Sequence, residues 1–202
     1  MTALTTLRRF FLSAVALGFA AHAAAAPAPL TLDVYNPGAA AIFPVSSVLV
    51  SGDKDAILID AQFGKAQAQH VVDKIRASGK HLTTIYISHG DPDYYFGLET
   101  LTQAFPDAKV LASAPTVEHI NHTKDAKLAF WGPQMGGDVP AKLIVPQVLK
   151  GNSLQLEGRE LDVIGLNGKQ PDRCFVSFPS LKAVFGGVVL ADNIHVCLSD
   201  AH

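Results

Sequence analysis

Apolar positions along this chain fall in short blocks parted by turn residues. Leu30-Thr31-Leu32-Asp33-Val34-Tyr35 alternates with a period of two, the pattern of a half-buried strand. Asn36-Pro37-Gly38 makes a turn. Residues 45–50 and Ala56-Ile57-Leu58-Ile59-Asp60 predict two further strands around the hairpin loop Ser51-Gly52-Asp53-Lys54-Asp55. The second is apolar almost throughout, which suits the centre of a sheet. Residues 65–77 place Ala66, Val71, Val72 and Ile75 on one side of a helix, and Ser78-Gly79 stops it. Ile85-Tyr86-Ile87 is a buried strand, and a helix follows from Gly97 to Phe105, where Pro106-Asp107 breaks it. Lys109-Val110-Leu111-Ala112 is another short strand, and Pro115 opens a helix over 116–122. Residues 124–146 are less regular. From Leu143 strands return, with Leu154-Gln155-Leu156 and Leu161-Asp162-Val163-Ile164 around Glu157-Gly158-Arg159, then 175–178 and 183–187 around Pro179-Ser180. That is an antiparallel meander.

The chemistry concentrates at Ser88-His89-Gly90-Asp91-Pro92-Asp93-Tyr94, between the Ile85-Tyr86-Ile87 strand and the helix opened by Gly97. His89, Asp91 and Asp93 stand at alternate positions on this strand-to-helix turn. An imidazole and two carboxylates so close can point at one spot, as ligands of a divalent metal do. The C-terminal end of a strand is also where α/β proteins place their chemistry.

This stretch resembles the metal-binding signature of the metallo-β-lactamase superfamily, a strand followed by T-H-x-H-x-D-H and a small residue opening a helix. The first His and the Asp match, as His89 and Asp93. The second His is Asp91 and the third is Tyr94. The resemblance implies an α/β fold, the αββα sandwich of that superfamily. It implies that Asp60, ending its strand as the superfamily's L-I-D-x-G Asp does, supports the metal site from behind the ligands; an Asp capping the next helix is the plainer reading, and the two coexist. In the second half, Phe185-Gly186-Gly187-Val188 takes the place of F-G-G-D, so Val188 stands where the bridging Asp belongs. Counting back across the hairpin sets Gly168-Lys169-Gln170-Pro171 on the G-H-T-P turn, with Lys169 at the His position. A protonated lysine has no lone pair for a metal. One divalent metal, zinc or Mn, Fe or Mg, held by His89, Asp91 and Asp93 is one expectation. A metal-free site with the Lys169 charge between Asp91 and Asp93 is the other, because paired carboxylates need a cation.

Composition limits the alternatives. The 202 residues, 49% hydrophobic and 17% charged, suit one domain with a sizeable core. A net charge of -2 with no basic run makes no case for nucleic acid or an anionic membrane. Arg8-Arg9, the apolar run from Phe10 to Ala21 and Ala23-Ala24-Ala25-Ala26 before Pro27 form a secretory signal peptide, residues 1–25, with the domain over 26–202. Arg8-Arg9-Phe10-Phe11-Leu12 also resembles the twin-arginine signal, although paired arginines are common in ordinary leaders. A periplasmic or secreted chain without a stable membrane anchor follows as the expectation. Cys174 and Cys197 read as two buried thiols in strand-like contexts, with a disulfide permitted by export. The chain stops soon after the strand that should carry the bridging Asp, which in the superfamily is followed by a helix-strand-helix unit; a C-terminal truncation of the fold is expected from that.

The remaining candidates are weaker. His119 and His122 are spaced i, i+3, as a chelating pair or a solvated helix face. His195 either reaches the site from the second half or is an ordinary loop histidine. Phe130 and Trp131 either line an apolar substrate pocket or pack their segment onto the core. The functional expectation is an exported metallo-hydrolase acting on a small-molecule ester, lactone, thioester or amide, with Asp93 orienting the attacking water and Tyr94 donating to the oxyanion. The alternative is a non-catalytic binding or scaffold protein that keeps the fold. An antibiotic-cleaving β-lactamase fits less well, because those zinc enzymes use the His-rich signature.

Overall fold

The computed structural model describes residues 29–188. The first sheet has six strands in the order β1 (Thr31–Tyr35), β2 (Ser47–Ser51), β3 (Asp55–Ile59), β4 (His81–Ile87), β5 (Lys109–Ala112) and β6 (Gln147–Val148). β1 to β3 are antiparallel and β3 to β6 parallel. Parallel neighbours need crossovers. These are α1 (Lys65–Ser78) after β3, the short α2 (Pro92–Tyr95) and α3 (Leu98–Ala104) after β4, and α4 (Ala114–Met135) after β5. The second sheet is the expected antiparallel meander, in the order β10 (Ala183–Phe185), β9 (Phe175–Phe178), β8 (Arg159–Ile164) and β7 (Ser153–Leu156).

Side-chain alternation assigns each strand face to one of two cores. Val48, Val50, Ile57, Ile59 and Tyr86 turn towards Leu154, Leu161, Val163, Val176 and Phe178 of the second sheet. Leu49, Ala56, Leu58, Ile85 and Ile87 turn the other way, onto Val71, Val72 and Ile75 of α1, Leu98 and Leu101 of α3 and Ile120 of α4. Residues 56–59 of β3 and 85–87 of β4 are buried on both faces, which is why those stretches read as unbroken apolar runs. The layers are helix, sheet, sheet, as the α/β sandwich requires. Among the described residues the outer face of the second sheet carries no α-helix, and Ile164 and Val184 are exposed there.

α4 differs from expectation. Where the sequence pattern predicts helix only over 116–122, one helix runs from Ala114 to Met135. Ser113 caps it, its Oγ accepting from the Thr116 amide at 3.2 Å. Thr116, Ile120 and Met135 are buried, and Leu128 and Trp131 pack on the core between them. Lys124 and Lys127 interrupt that stripe, so the helical period is hard to see in the sequence. Trp131 meets Phe43, Phe63 and Phe130 edge to face, fixing the helix to the core. Phe130 itself stays 63% exposed.

A carboxylate joins the two sheets at their far end. Glu157, on the β7–β8 turn, accepts from the backbone amides of Asp53, Lys54 and Asp55 at 2.7, 2.6 and 2.8 Å. Those three hydrogen bonds hold its carboxyl at about 2, well below its ordinary 4.5. Among the described residues, no helix is long and apolar enough to cross a membrane.

Candidate functional site

Because β3, β4 and β5 run parallel, their C-terminal ends open on one edge of the sheet. Asp60, Ser88 with His89, and Ser113 lie just beyond those ends. Asp60 has φ +64, a left-handed conformation that Asp tolerates better than most residues. It turns the carboxylate onto β4: Ser88 donates its amide at 2.8 Å and its hydroxyl at 2.7 and 2.9 Å. Asp60 is fully buried, and burial pushes its pKa up to about 7 in spite of those bonds. Its side chain caps the end of β4 rather than helix α1. The Ser88 hydroxyl in turn accepts from the Gly187 amide at 2.6 Å, tying the site edge to the second sheet. A Cβ at Gly187 would run into the Cys174 carbonyl, and its φ is +76, so glycine is required there. Cys174 is a buried free thiol that bonds the Ser88 carbonyl at 3.2 Å.

The turn after β4 carries the charged cluster. His89 is buried, with Nδ1 3.2 Å from the Asp172 carbonyl and Nε2 3.1 Å from Asp91 Oδ2. Both neighbours are acceptors, so both ring nitrogens donate and the ring is an imidazolium. Burial pulls the His89 pKa down, but the Asp91 carboxylate outweighs it and the net direction is up. Lys127 of α4 donates to the other Asp91 oxygen at 2.5 Å, and its Nζ is 3.0 Å from His119 Nε2 and 3.4 Å from the Gly90 carbonyl. An ammonium only donates, so His119 Nε2 accepts and Nδ1 carries the proton, facing Asp172 Oδ2 at 3.5 Å. Burial, then the Lys127 charge, hold the His119 pKa below its ordinary value.

Asp91 and Asp93 are pushed apart. Burial raises both, but hydrogen bonds and charge from His89 and Lys127 carry Asp91 far below the usual carboxylate range. Asp93 is raised to about 7 by burial and by the negative charge of Asp91. Among the described residues, no Lys, Arg or His nitrogen comes within ion-pair distance of Asp93. Tyr94 is buried with its ring edge-to-face on His89, 5.3 Å between centroids, and burial keeps its hydroxyl protonated. A pair of carboxyls with separated pKa values is how a site assigns its base.

The cation beside Asp91 is therefore Lys127, not Lys169, which lies exposed on its turn. Counting across the hairpin placed Lys169 on the His position; what the turn delivers to the site is its neighbour Asp172. Val188 is half-buried. His119 is a site residue, while His122 lies outside the cluster of bonds. His195 and Cys197 fall outside the described residues. Sequence reasoning missed Lys127 and Asp172 altogether. The signal for Lys127 was a lysine two turns beyond His119, in a segment not recognised as helix.

The resemblance implies a divalent metal, and the residues present do not fit one. Among the described residues, no three His, Cys, Asp or Glu side chains converge as ligands. Both oxygens of Asp91 are engaged, and a doubly donating His89 has no lone pair to give.

This geometry has counterparts among known proteins. The sequence profile of the metallo-beta-lactamase superfamily matches residues 41–199. The chain belongs to the metallo-β-lactamase superfamily. Among solved structures it is similar to the BLEG-1 B3 metallo-beta-lactamase, with a TM-score of 0.61 and 15% identity over 80% of this chain and 74% of that one. A metallo-beta-lactamase from Pontibacter korlensis follows, with a TM-score of 0.60 and 20% identity over 86% and 73% of the two chains. Identities this low show the shared fold. Among curated proteins, Uncharacterized protein YobT of Bacillus subtilis (strain 168) is 36% identical over 73 residues. That stretch is 36% of this chain and spans 31% of the relative's length.

Proposed function

We propose that this metallo-hydrolase-like protein is an exported hydrolase that attacks a carbonyl carbon of a small ester, lactone, thioester or amide, with Asp93 as the base. The observation that supports this most is the position of Asp93, without an ion-pair partner among the described residues and beside a carboxylate that two cations hold ionised. Asp93 takes a proton from water as the oxygen adds to the carbonyl carbon, and Tyr94 donates its hydroxyl hydrogen bond to the oxyanion. Collapse of the tetrahedral species breaks the bond to the leaving group, which takes the proton back from Asp93. Lys127 and His89 keep Asp91 charged throughout, and burial together with that charge keeps Asp93 basic enough to act near neutral pH.

Turnover of a panel of aryl esters, lactones, thioesters and a penicillin by the purified chain is the test. Asp93→Asn is expected to lose about 10²–10⁴-fold in kcat/KM. Equal rates in wild type and Asp93→Asn would remove the reading. Tight binding of one of these compounds without turnover would favour the non-catalytic alternative. Export rests on the leader-like pattern of residues 1–25, and N-terminal sequencing of the periplasmic protein is expected to begin near Ala26.

A further inference from the structure

We propose that the Lys127 ammonium is the resident cation of this site: it stands where the superfamily's signature turn would hold a metal, and it keeps divalent ions out. The inference does not depend on the reaction proposed above.

The ammonium has three N–H groups and three acceptors around it. Asp91 Oδ1 lies at 2.5 Å, His119 Nε2 at 3.0 Å and the Gly90 carbonyl at 3.4 Å. Two of those atoms, a carboxylate oxygen and an imidazole nitrogen with its lone pair turned to the cation, are the donors a metal would use. They come from two elements, the β4–α2 turn and α4, so the lysine joins the same pieces of the fold that an ion would join. The other Asp91 oxygen is spent on His89. A divalent ion cannot share Asp91 Oδ1 with an ammonium, because two cations at bonding distance from one oxygen repel each other. The arm itself is held in place: Ile120 is fully buried one residue from His119, and Trp131 packs one turn beyond Lys127. Displacing the ammonium would leave a long polar side chain with its charge unpaired at a half-buried position.

The structure also accounts for the departures from the family signature. With a cation covalently attached to the fold, Asp at position 91 is the better partner than His, since a carboxylate pairs with an ammonium. Tyr94 then has no metal to serve and lies edge-on against His89.

The test reads metal rather than turnover. Wild type, Lys127→Met, Lys127→Arg and the double variant Lys127→Met with Asp91→Asn are dialysed against zinc, then against a mild chelator, and analysed for metal. Wild type and Lys127→Arg are expected to retain less than about a tenth of an equivalent. Lys127→Met keeps the aliphatic stem and loses the charge. It is expected to retain more zinc than wild type, because Asp91 Oδ1 and His119 Nε2 are freed as donors. It is also expected to bind cobalt(II) at least about tenfold more tightly than wild type, read from the visible absorption of the ion. The double variant is expected to lose that gain. Wild type retaining one or more equivalents after the chelator overturns the proposal, whether or not the variants fold. A folded Lys127→Met that binds no more tightly than wild type overturns it as well.

Discussion

Ser88 gives Asp60 both its amide, at 2.8 Å, and its hydroxyl, at 2.7 and 2.9 Å, at the ends of two adjacent parallel strands. The same hydroxyl accepts from the Gly187 amide of the second sheet. One oxygen atom thus links both sheets beneath the site. Ser88→Ala leaves the Gly187 amide and a buried carboxylate short of a partner. A loss of about 1–3 kcal/mol in unfolding free energy is expected by urea denaturation. Gly187→Ala is expected to lose at least as much, because its Cβ meets the Cys174 carbonyl.

Asp60 sets a slope in stability against pH. Its folded pKa of about 7 lies above its ordinary 3.8, so between those values the folded chain holds the proton more tightly than the unfolded one. Its contribution is complete below pH about 4 and is lost as pH rises through about 7. Asp93 slopes the same way. Asp60→Asn is therefore expected to reduce the fall in stability between about pH 4 and pH 7 without abolishing it. Urea midpoints across that range measure it.

Glu157 slopes the other way. Its folded pKa of about 2 lies below 4.5, so its contribution is present above pH about 4.5 and is lost as pH falls towards 2. The midpoints of wild type and Glu157→Gln are expected to differ most above pH about 4.5 and to converge in acid. A constant difference down to pH about 2 would show that the amide bonds do not need the charge.

If Asp93 is the base, kcat/KM rises with pH through about 7 and levels above it, as the carboxyl loses its proton. Burial contributes most to raising Asp93 and the Asp91 charge adds to it, so the Asp91→Asn profile is expected to shift partway to lower pH. A profile that is flat from pH 5 to 9 in wild type would sink the assignment.

Ile120 is fully buried and anchors the helix that carries His119 and Lys127. Ile120→Ala is expected to cost about 2–5 kcal/mol of stability, the range for a buried aliphatic cut to Ala. Because the same helix supplies the cation, the variant is also expected to retain more zinc than wild type, which elemental analysis reads.

Much of the fold was legible in the sequence because its signals are local. Ala56 to Ile59 and Ile85 to Ile87 announce themselves as central strands because both faces are buried and every position must be apolar. The turn at His89, Asp91 and Asp93 is equally local, a strand end and a helix start carrying ligand-type side chains within a few residues. What occupies that turn was decided by tertiary structure. Lys127 lies 36 positions from Asp91, and Asp172 lies 83 from His89. No period or spacing connects such pairs; they meet because α4 crosses the end of the parallel strands and the second sheet closes over them. The polar residues that do this work also break the apolar stripe of α4, so the feature that completes the site concealed the helix that delivers it. By itself the sequence determined a family, a sandwich and a turn carrying an imidazole and two carboxylates. Only the folded chain decided that Lys127 is the cation beside Asp91, because a charge is paired by what is near in space.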